Sequence, residues 1–175
     1  MPPAQVAVRY RLEAFADMEV EVLTREPYTL QGAPVSVRVP WIGRFVGEDV
    51  VERPFAYAVP KDVGEHLLRH GLEVEHWVPG TMLEAEVATV RGEVSSAGRE
   101  ILEANASPYL EAEYRRVRRA LPDGWAIVRT QQQRGAIAVY LCEAGSDDGL
   151  LACELAPHPE AGEEFPAWRV HAIEP

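Results

Sequence analysis

The segment His70-Gly-Leu-Glu73, followed by His76, places two imidazoles and a carboxylate close together in the chain. A histidine and a glutamate separated by two residues, joined by a later histidine, form a zinc arrangement in some hydrolases. Here the local elements scatter the three groups. His70 ends a helix, Gly71 breaks it, and Glu73 falls on the face of the following strand opposite to His76. The expectation is a helix-end histidine beside terminal carbonyls and two strand side chains, with no metal held by this set.

Other combinations are weaker still. The loop Gly145-Ser146-Asp147-Asp148-Gly149 offers hydroxyl and carboxylate oxygens, but it lacks the length and terminal glutamate of an EF-hand calcium loop. Serine and aspartate between glycines more commonly close a turn through local hydrogen bonds. The pairs Glu73/Glu75, Glu84/Glu86 and Glu163/Glu164 resemble glycosidase dyads in spacing, yet no apolar cleft that would raise one pKa is evident. They read as solvated. No serine lies in a nucleophile elbow, and no phosphate loop or dinucleotide fingerprint occurs. Trp41, Trp77, Trp125 and Trp168 could build an aromatic platform, although tryptophans in β-sandwiches more often fill the core.

The elements that must carry these groups are mostly strands. Val6, Val8, Tyr10 and Leu12 alternate with Ala7, Arg9, Arg11 and Glu13, Met18, Val20 and Val22 with Glu19 and Glu21, and then Val35, Val37 and Val39 with Ser36 and Arg38. That is the period of a strand with one wet face, so the three valines of the last segment are expected to be buried. Pro27 and Gln31-Gly32 supply turn chemistry between them. Pro40 is expected to close the third strand, with a further short strand over 41–46. Phe55, Tyr57 and Val59 alternate between Pro54 and Pro60. The period then lengthens, and Val63, Leu67 and Leu68 share one face of a helix over 61–70, stopped by Gly71. Residues 72–78 return to period two. Residues 82–90 are extended, 91–107 irregular, 109–121 a strand despite competing helical spacing, and 125–129 a strand after Pro122-Asp-Gly124. Residues 136–143 fit either a buried strand or a short helix.

Composition narrows the function classes. The 175 residues suit one domain, 47% of them are hydrophobic, and the formal charge is -11. Such a field repels phosphate backbones and anionic lipid, so neither nucleic acid nor membrane is an expected partner. The basic run Arg115, Arg116, Arg118 and Arg119 reads as a solvated charged face. Cys142 and Cys153 sit among apolar residues and are expected as free, buried thiols, with a single bridge between them as the other reading. The opening Met1-Pro-Pro-Ala-Gln5 leads into alternating residues and not into a signal-peptide core, so a soluble chain is expected.

Several segments, taken in order, resemble the non-catalytic C-terminal region of bacterial zinc carboxypeptidase-like proteins of the M14 family. They are Val39-Pro-Trp-Ile-Gly-Arg-Phe45, Arg53-Pro-Phe-Ala-Tyr-Ala-Val-Pro60 and Leu67-Leu-Arg-His-Gly-Leu-Glu-Val74, then Leu121-Pro-Asp-Gly124 and Val128-Arg-Thr-Gln-Gln132. Ala138-Val-Tyr-Leu-Cys-Glu143, Ser146-Asp-Asp-Gly-Leu150 and Phe165-Pro-Ala-Trp-Arg-Val170 complete the series, which reaches over residues 10–170. The resemblance implies a mainly β, antiparallel, β-sandwich-like accessory domain with one or two short helices, covering 1–175, in which 1–24 is either a linker or an edge strand from a preceding domain. It also implies an adjacent peptidase domain as partner, zinc only in that domain, and no catalytic residue here. Where such regions carry an aromatic and an asparagine, this chain has Ala152-Cys-Glu154, and Pro122-Asp-Gly-Trp125 replaces a commoner turn. Ser146, Asp147, Asp148 and Trp168 are the expected contact surface. Two other classes stay open: an independent peptide- or carbohydrate-binding module built on the tryptophans, and a small hydrolase with an unrecognised acid/base dyad.

Overall fold

The computed structural model describes residues 3–25, 33–94 and 109–174. The fold is mainly β and antiparallel, with two short helices. Strand β1 spans Gln5–Arg25 and pairs with β2, Pro34–Glu52, as a two-stranded sheet. Five further strands form the second sheet in the order β5-β4-β7-β3-β6, where β3 is Ala56–Pro60, β4 Met82–Val94, β5 Tyr109–Ala120, β6 Trp125–Arg129 and β7 Trp168–Ile173. Helix α1, Lys61–Arg69, follows β3 directly, and α2, Gly135–Cys142, follows β6. The chain divides into two compact units: residues 1–9 with 49–175, and residues 10–48.

The larger unit owes its core to the two faces of the five-stranded sheet. On one face, Tyr57, Val59, Ala88, Val90 and Val128 pack against Val63 and Leu67 of α1 and Ala138, Val139 and Cys142 of α2. On the other, Ala56, Ala58, Leu83, Ala85, Val87, Ile127, Trp168 and Val170 form a second cluster, flanked by Trp77 and Trp125. Burial on both faces is why Ala56-Tyr-Ala-Val59 shows no wet side. Helix α1 is amphipathic and turns Val63, Gly64 and Leu67 inward. Its end fits the sequence: His70 is the C-cap, and Gly71 takes φ 77°, a left-handed conformation that a side chain would oppose. Helix α2 is apolar all round and correspondingly buried. Gly135 opens it because a Cβ there would stand 1.7 Å from the carbonyl oxygen of Thr130.

The fold-class expectation is met, and particular elements differ. Residues 136–143, open between strand and helix, form α2 up to Cys142. Pro40 does not close a strand, since β2 runs through it. In a two-stranded ribbon each strand has one free edge, where a missing N–H costs no ladder bond. Val35, Val37 and Val39 are not buried: the first and last are half-buried and Val37 is exposed. Residues 72–78 form no strand. Glu75 makes one isolated bridge to Ile127 on the edge strand β6, while Leu72 is drawn under α1 and Val78 is 75% exposed. Strand β4 continues to Val94, beyond the expected start of irregular chain, and β7 was not legible as a strand at all. Cys142 is buried as expected, but Cys153 is exposed, and both thiols are free. The turn expected at Pro27 and Gln31-Gly32 and most of the irregular stretch lie outside the described residues. No helix of the described residues is long and apolar enough to cross a membrane.

Candidate functional site

Register across the larger sheet sets up a polar site that no local motif announces. Tyr57 of β3 faces Arg169 of β7, Arg169 faces Glu86 of β4, and Glu86 faces Arg116 of β5. These four side chains form one transverse row on the helix-covered face, at the place where apolar Ala88 and Val90 give way to Glu86 and Glu84. Glu143, immediately after α2, is laid over this row and is 2% exposed.

The Glu143 carboxylate is met by donors from three strands. Arg169 donates from Nε to Oε1 at 2.8 Å and from Nη2 to Oε2 at 2.5 Å, a bidentate pair. Tyr114 donates its hydroxyl to Oε2 at 2.8 Å, and Tyr57 donates to Oε1. The Arg169 guanidinium lies 3.6 Å from the centre of the Tyr114 ring and reaches Glu86 at 3.4 Å through Nη1. Glu86 also takes Arg116 at 3.4 Å and His171 at 3.3 Å.

Electrostatics follow from this packing. Burial, then the Glu143 charge, pushes the Tyr57 phenol well above its usual range, and Tyr114 is raised for the same reasons. Both stay neutral donors. Burial opposes the charge of Arg169, but its bonds to Glu143 more than offset this and raise its pKa. Burial likewise pushes the Cys142 thiol up, with Glu143 adding to the effect, so this thiol is no nucleophile. For Glu86, burial acts to raise the pKa, yet His171, Arg116 and Arg169 together hold it below the ordinary carboxylate value.

Two clefts flank this cluster. One, of about 480 Å³, is lined by Arg9, Asp49, Tyr109, Tyr114, Glu143 and Arg169 among others. The other, of about 460 Å³, is lined by Arg53, Phe55, Glu86, Arg116, Arg169 and His171 among others. Glu143 already accepts four bonds, which occupy the lone pairs a general base would need. His171 with Glu86 has the form of an orienting dyad, but the residues lining its cleft include no serine, threonine, cysteine or lysine to activate. The arrangement is suited to holding the end of α2 against the sheet and to shaping the two clefts.

The residues singled out from sequence are placed otherwise. Of Ser146, Asp147, Asp148 and Trp168, Asp148 is exposed, Asp147 is half-buried, and Ser146 and Trp168 are buried. Ser146 is 5% exposed because its loop folds back under α2, with the amides of Ser146 and Leu150 bonded to the carbonyls of Glu143 and Leu141. Asp147 is half-buried and accepts from the Tyr140 hydroxyl at 2.5 Å. Trp168 is 4% exposed, with its ring 4.5 Å from that of Trp125 and under Arg119. No group of three or more His, Cys, Asp or Glu among the described residues could hold a metal ion, and His70, Glu73 and His76 do not converge. The arginine run is laced to carboxylates: Arg118 makes two bonds of 2.6 Å to Glu174, and Arg119 one of 2.6 Å to Glu164. Glu86 is half-buried instead of solvated, and Glu75 is held below the usual carboxylate range, chiefly by its bond to Arg129. Glu143 and Arg169 were missed as a site. The only local hint was a carboxylate ending the apolar run Ala136-Ile-Ala-Val-Tyr-Leu-Cys142 and an arginine inside Trp168-Arg-Val170.

No family model, curated protein or solved structure matches this chain.

Proposed function

We propose that this chain is a non-catalytic accessory domain of an M14-like zinc carboxypeptidase, supporting an adjacent peptidase domain or the rim of its substrate cleft. The observation that carries this reading is the ribbon of residues 10–48. Its strands leave Phe15, Met18, Val22, Val37, Trp41 and Ile42 exposed, together with Leu23 at 80% and Phe45 at 71%. A two-stranded ribbon is marginally stable alone, and its alternating apolar side chains gain nothing from water. On this reading some of these side chains are covered by the partner, since apolar surface left open on a domain can serve as an interaction site. The ordered resemblance to the M14 accessory region names the partner, a domain of the same polypeptide. On this reading zinc belongs to that partner.

The test compares this chain, the upstream domain and the joined protein on peptides with free C-termini. The isolated chain is expected to turn over no substrate, and the upstream domain to lose stability or activity when separated. Hydrolysis by residues 1–175 alone would reject the accessory role. An upstream domain indifferent to separation would favour an independent binding module.

A further inference from the structure

One pair of side chains outside the polar cluster is arranged for chemistry that nothing above uses. His66 and His70 lie one helical turn apart at the end of α1, and their Nε2 atoms are 2.9 Å from each other. Their rings are tilted by 55° with centroids 4.8 Å apart. Both side chains reach solvent. Residues four apart on a helix share a face, and long side chains on that face can meet. Here the two rings meet through the atoms that ligate metals best.

We propose that His66 and His70 form a two-histidine chelate for a divalent transition-metal ion such as Cu²⁺, Ni²⁺ or Zn²⁺. The distance carries the argument. With metal–nitrogen bonds of about 2.0–2.1 Å, two nitrogens 2.9 Å apart subtend roughly 90° at the ion. That is the angle between neighbouring ligands in square-planar or octahedral coordination, so the spacing suits Cu²⁺ and Ni²⁺ once each ring turns its Nε2 lone pair off the N···N line towards the ion, whereas tetrahedral Zn²⁺ also asks the rings to part slightly. Without metal, one ring must donate its Nε2 proton to the other. On binding, that ring carries its proton on Nδ1 instead, so both lone pairs reach the ion and no proton need leave the protein.

The spacing His66-Leu-Leu-Arg-His70 is the one by which many zinc hydrolases offer two ligands from one helix. In those enzymes a glutamate follows the first histidine and serves as general base. Leu67 occupies that place here and is fully buried against the sheet. The pair therefore binds without the base that hydrolysis needs. Two protein ligands leave the remaining positions to water or to a group from another molecule. The ion would be exchangeable, not a resident cofactor, and the net charge of -11 favours cation approach. Arg69 and Arg134, whose Nη1 donates to the His70 carbonyl at 2.8 Å, work against it locally. The inference is independent of the accessory-domain reading.

Titration calorimetry of the full chain with CuCl₂, NiCl₂ and ZnCl₂, with electron paramagnetic resonance of the copper form, tests the proposal. One equivalent of Cu²⁺ should bind most tightly, as the Irving–Williams order requires, with a spectrum showing two equatorial nitrogens. Since even outer-shell changes cost about 10–100-fold in metal affinity, H66A or H70A should each weaken binding by at least about tenfold. The double variant should lose this site, and H76A should bind as the parent does. Both ligands are exposed or half-buried, so circular dichroism can verify that each variant folds. Absence of saturable Cu²⁺ binding by the parent chain, affinity unchanged in the double variant, or equal weakening by H76A would overturn the proposal.

Discussion

The ribbon of residues 10–48 and the five-stranded unit are written in the same alternating code, yet they use it differently. Over residues 10–48 of β1 and β2 most of the large apolar side chains are left exposed, Val37 and Phe45 among them, whereas Val6 and Val8 at the start of β1 are buried in the core of the larger unit. In β3, β4 and β7 apolar side chains are buried on both faces, and the polar row of Tyr57, Arg169 and Glu86 has its charges matched. Alternation therefore establishes that a segment can be a strand with an apolar face. It does not say whether this chain or another supplies the cover.

That contrast can be broken most severely by moving the same substitution between the regions. Val59 is fully buried between the sheet and the helices. A carboxylate placed there has no partner, and V59D should cost at least about 5 kcal/mol, which approaches the whole stability of a small domain. Loss of the folded far-ultraviolet signal and of a cooperative urea transition is the expected result. Next in size is R169A. It leaves Glu143 buried with its bidentate partner gone, a change worth about 3–5 kcal/mol in urea denaturation, and the resulting space at Tyr114 should make R169K only a partial rescue.

Smaller effects sharpen the picture of the row. Y57F removes one hydroxyl from Glu143 and should cost about 1.5–3 kcal/mol, as for hydrogen bonds to charged groups. Its pH dependence has a definite sign. The folded-state pKa of Tyr57 is raised, so its contribution is complete below the unfolded value of about 10 and declines as pH rises beyond it. Stability of the parent chain should fall above that pH, and Y57F should fall less steeply. Glu86 has the opposite sign. Its folded-state pKa is lowered, so its contribution is present above the unfolded carboxylate value of about 4.3 and is lost as pH drops through the lower folded value. E86Q should flatten that acid limb in pH-dependent melting experiments.

The smallest effect on this chain alone is expected from V37D. Val37 is exposed, and surface substitutions away from special features usually change stability by within about 0.5 kcal/mol. The urea transition of the five-stranded unit should be unmoved. If the ribbon docks on a peptidase domain, the same substitution should weaken the association of the two separately prepared domains. A large loss of stability from V37D in the isolated chain would show instead that the ribbon is covered within this chain.

The order of elements from Ala56 to Arg69 and from Tyr109 to Arg129 was legible because the signals there are local. Prolines bracket β3, Asp62 and Gly71 mark the ends of α1, and Pro122-Asp-Gly124 separates β5 from β6. The position of His66 four residues before His70 was equally present in the sequence, although only the meeting of their rings gives it meaning. Strand β7 was not legible. It is short and set among loops, and it is a strand because β4 and β3 hold it on either side. The polar cluster depends on the same register. Tyr57, Glu86, Tyr114, Glu143 and Arg169 are dispersed over more than a hundred positions, and a one-residue slip of β7 would turn Arg169 to the other face of the sheet. The sequence by itself determined the β class, the helix after Pro60 and the absence of a nucleophile motif, because these rest on periodicity and capping within a few residues. Tertiary structure alone decided which charges meet, which apolar faces are covered and that Ser146 and Trp168 are buried, because side-chain partners and solvent exposure are properties of the packed chain.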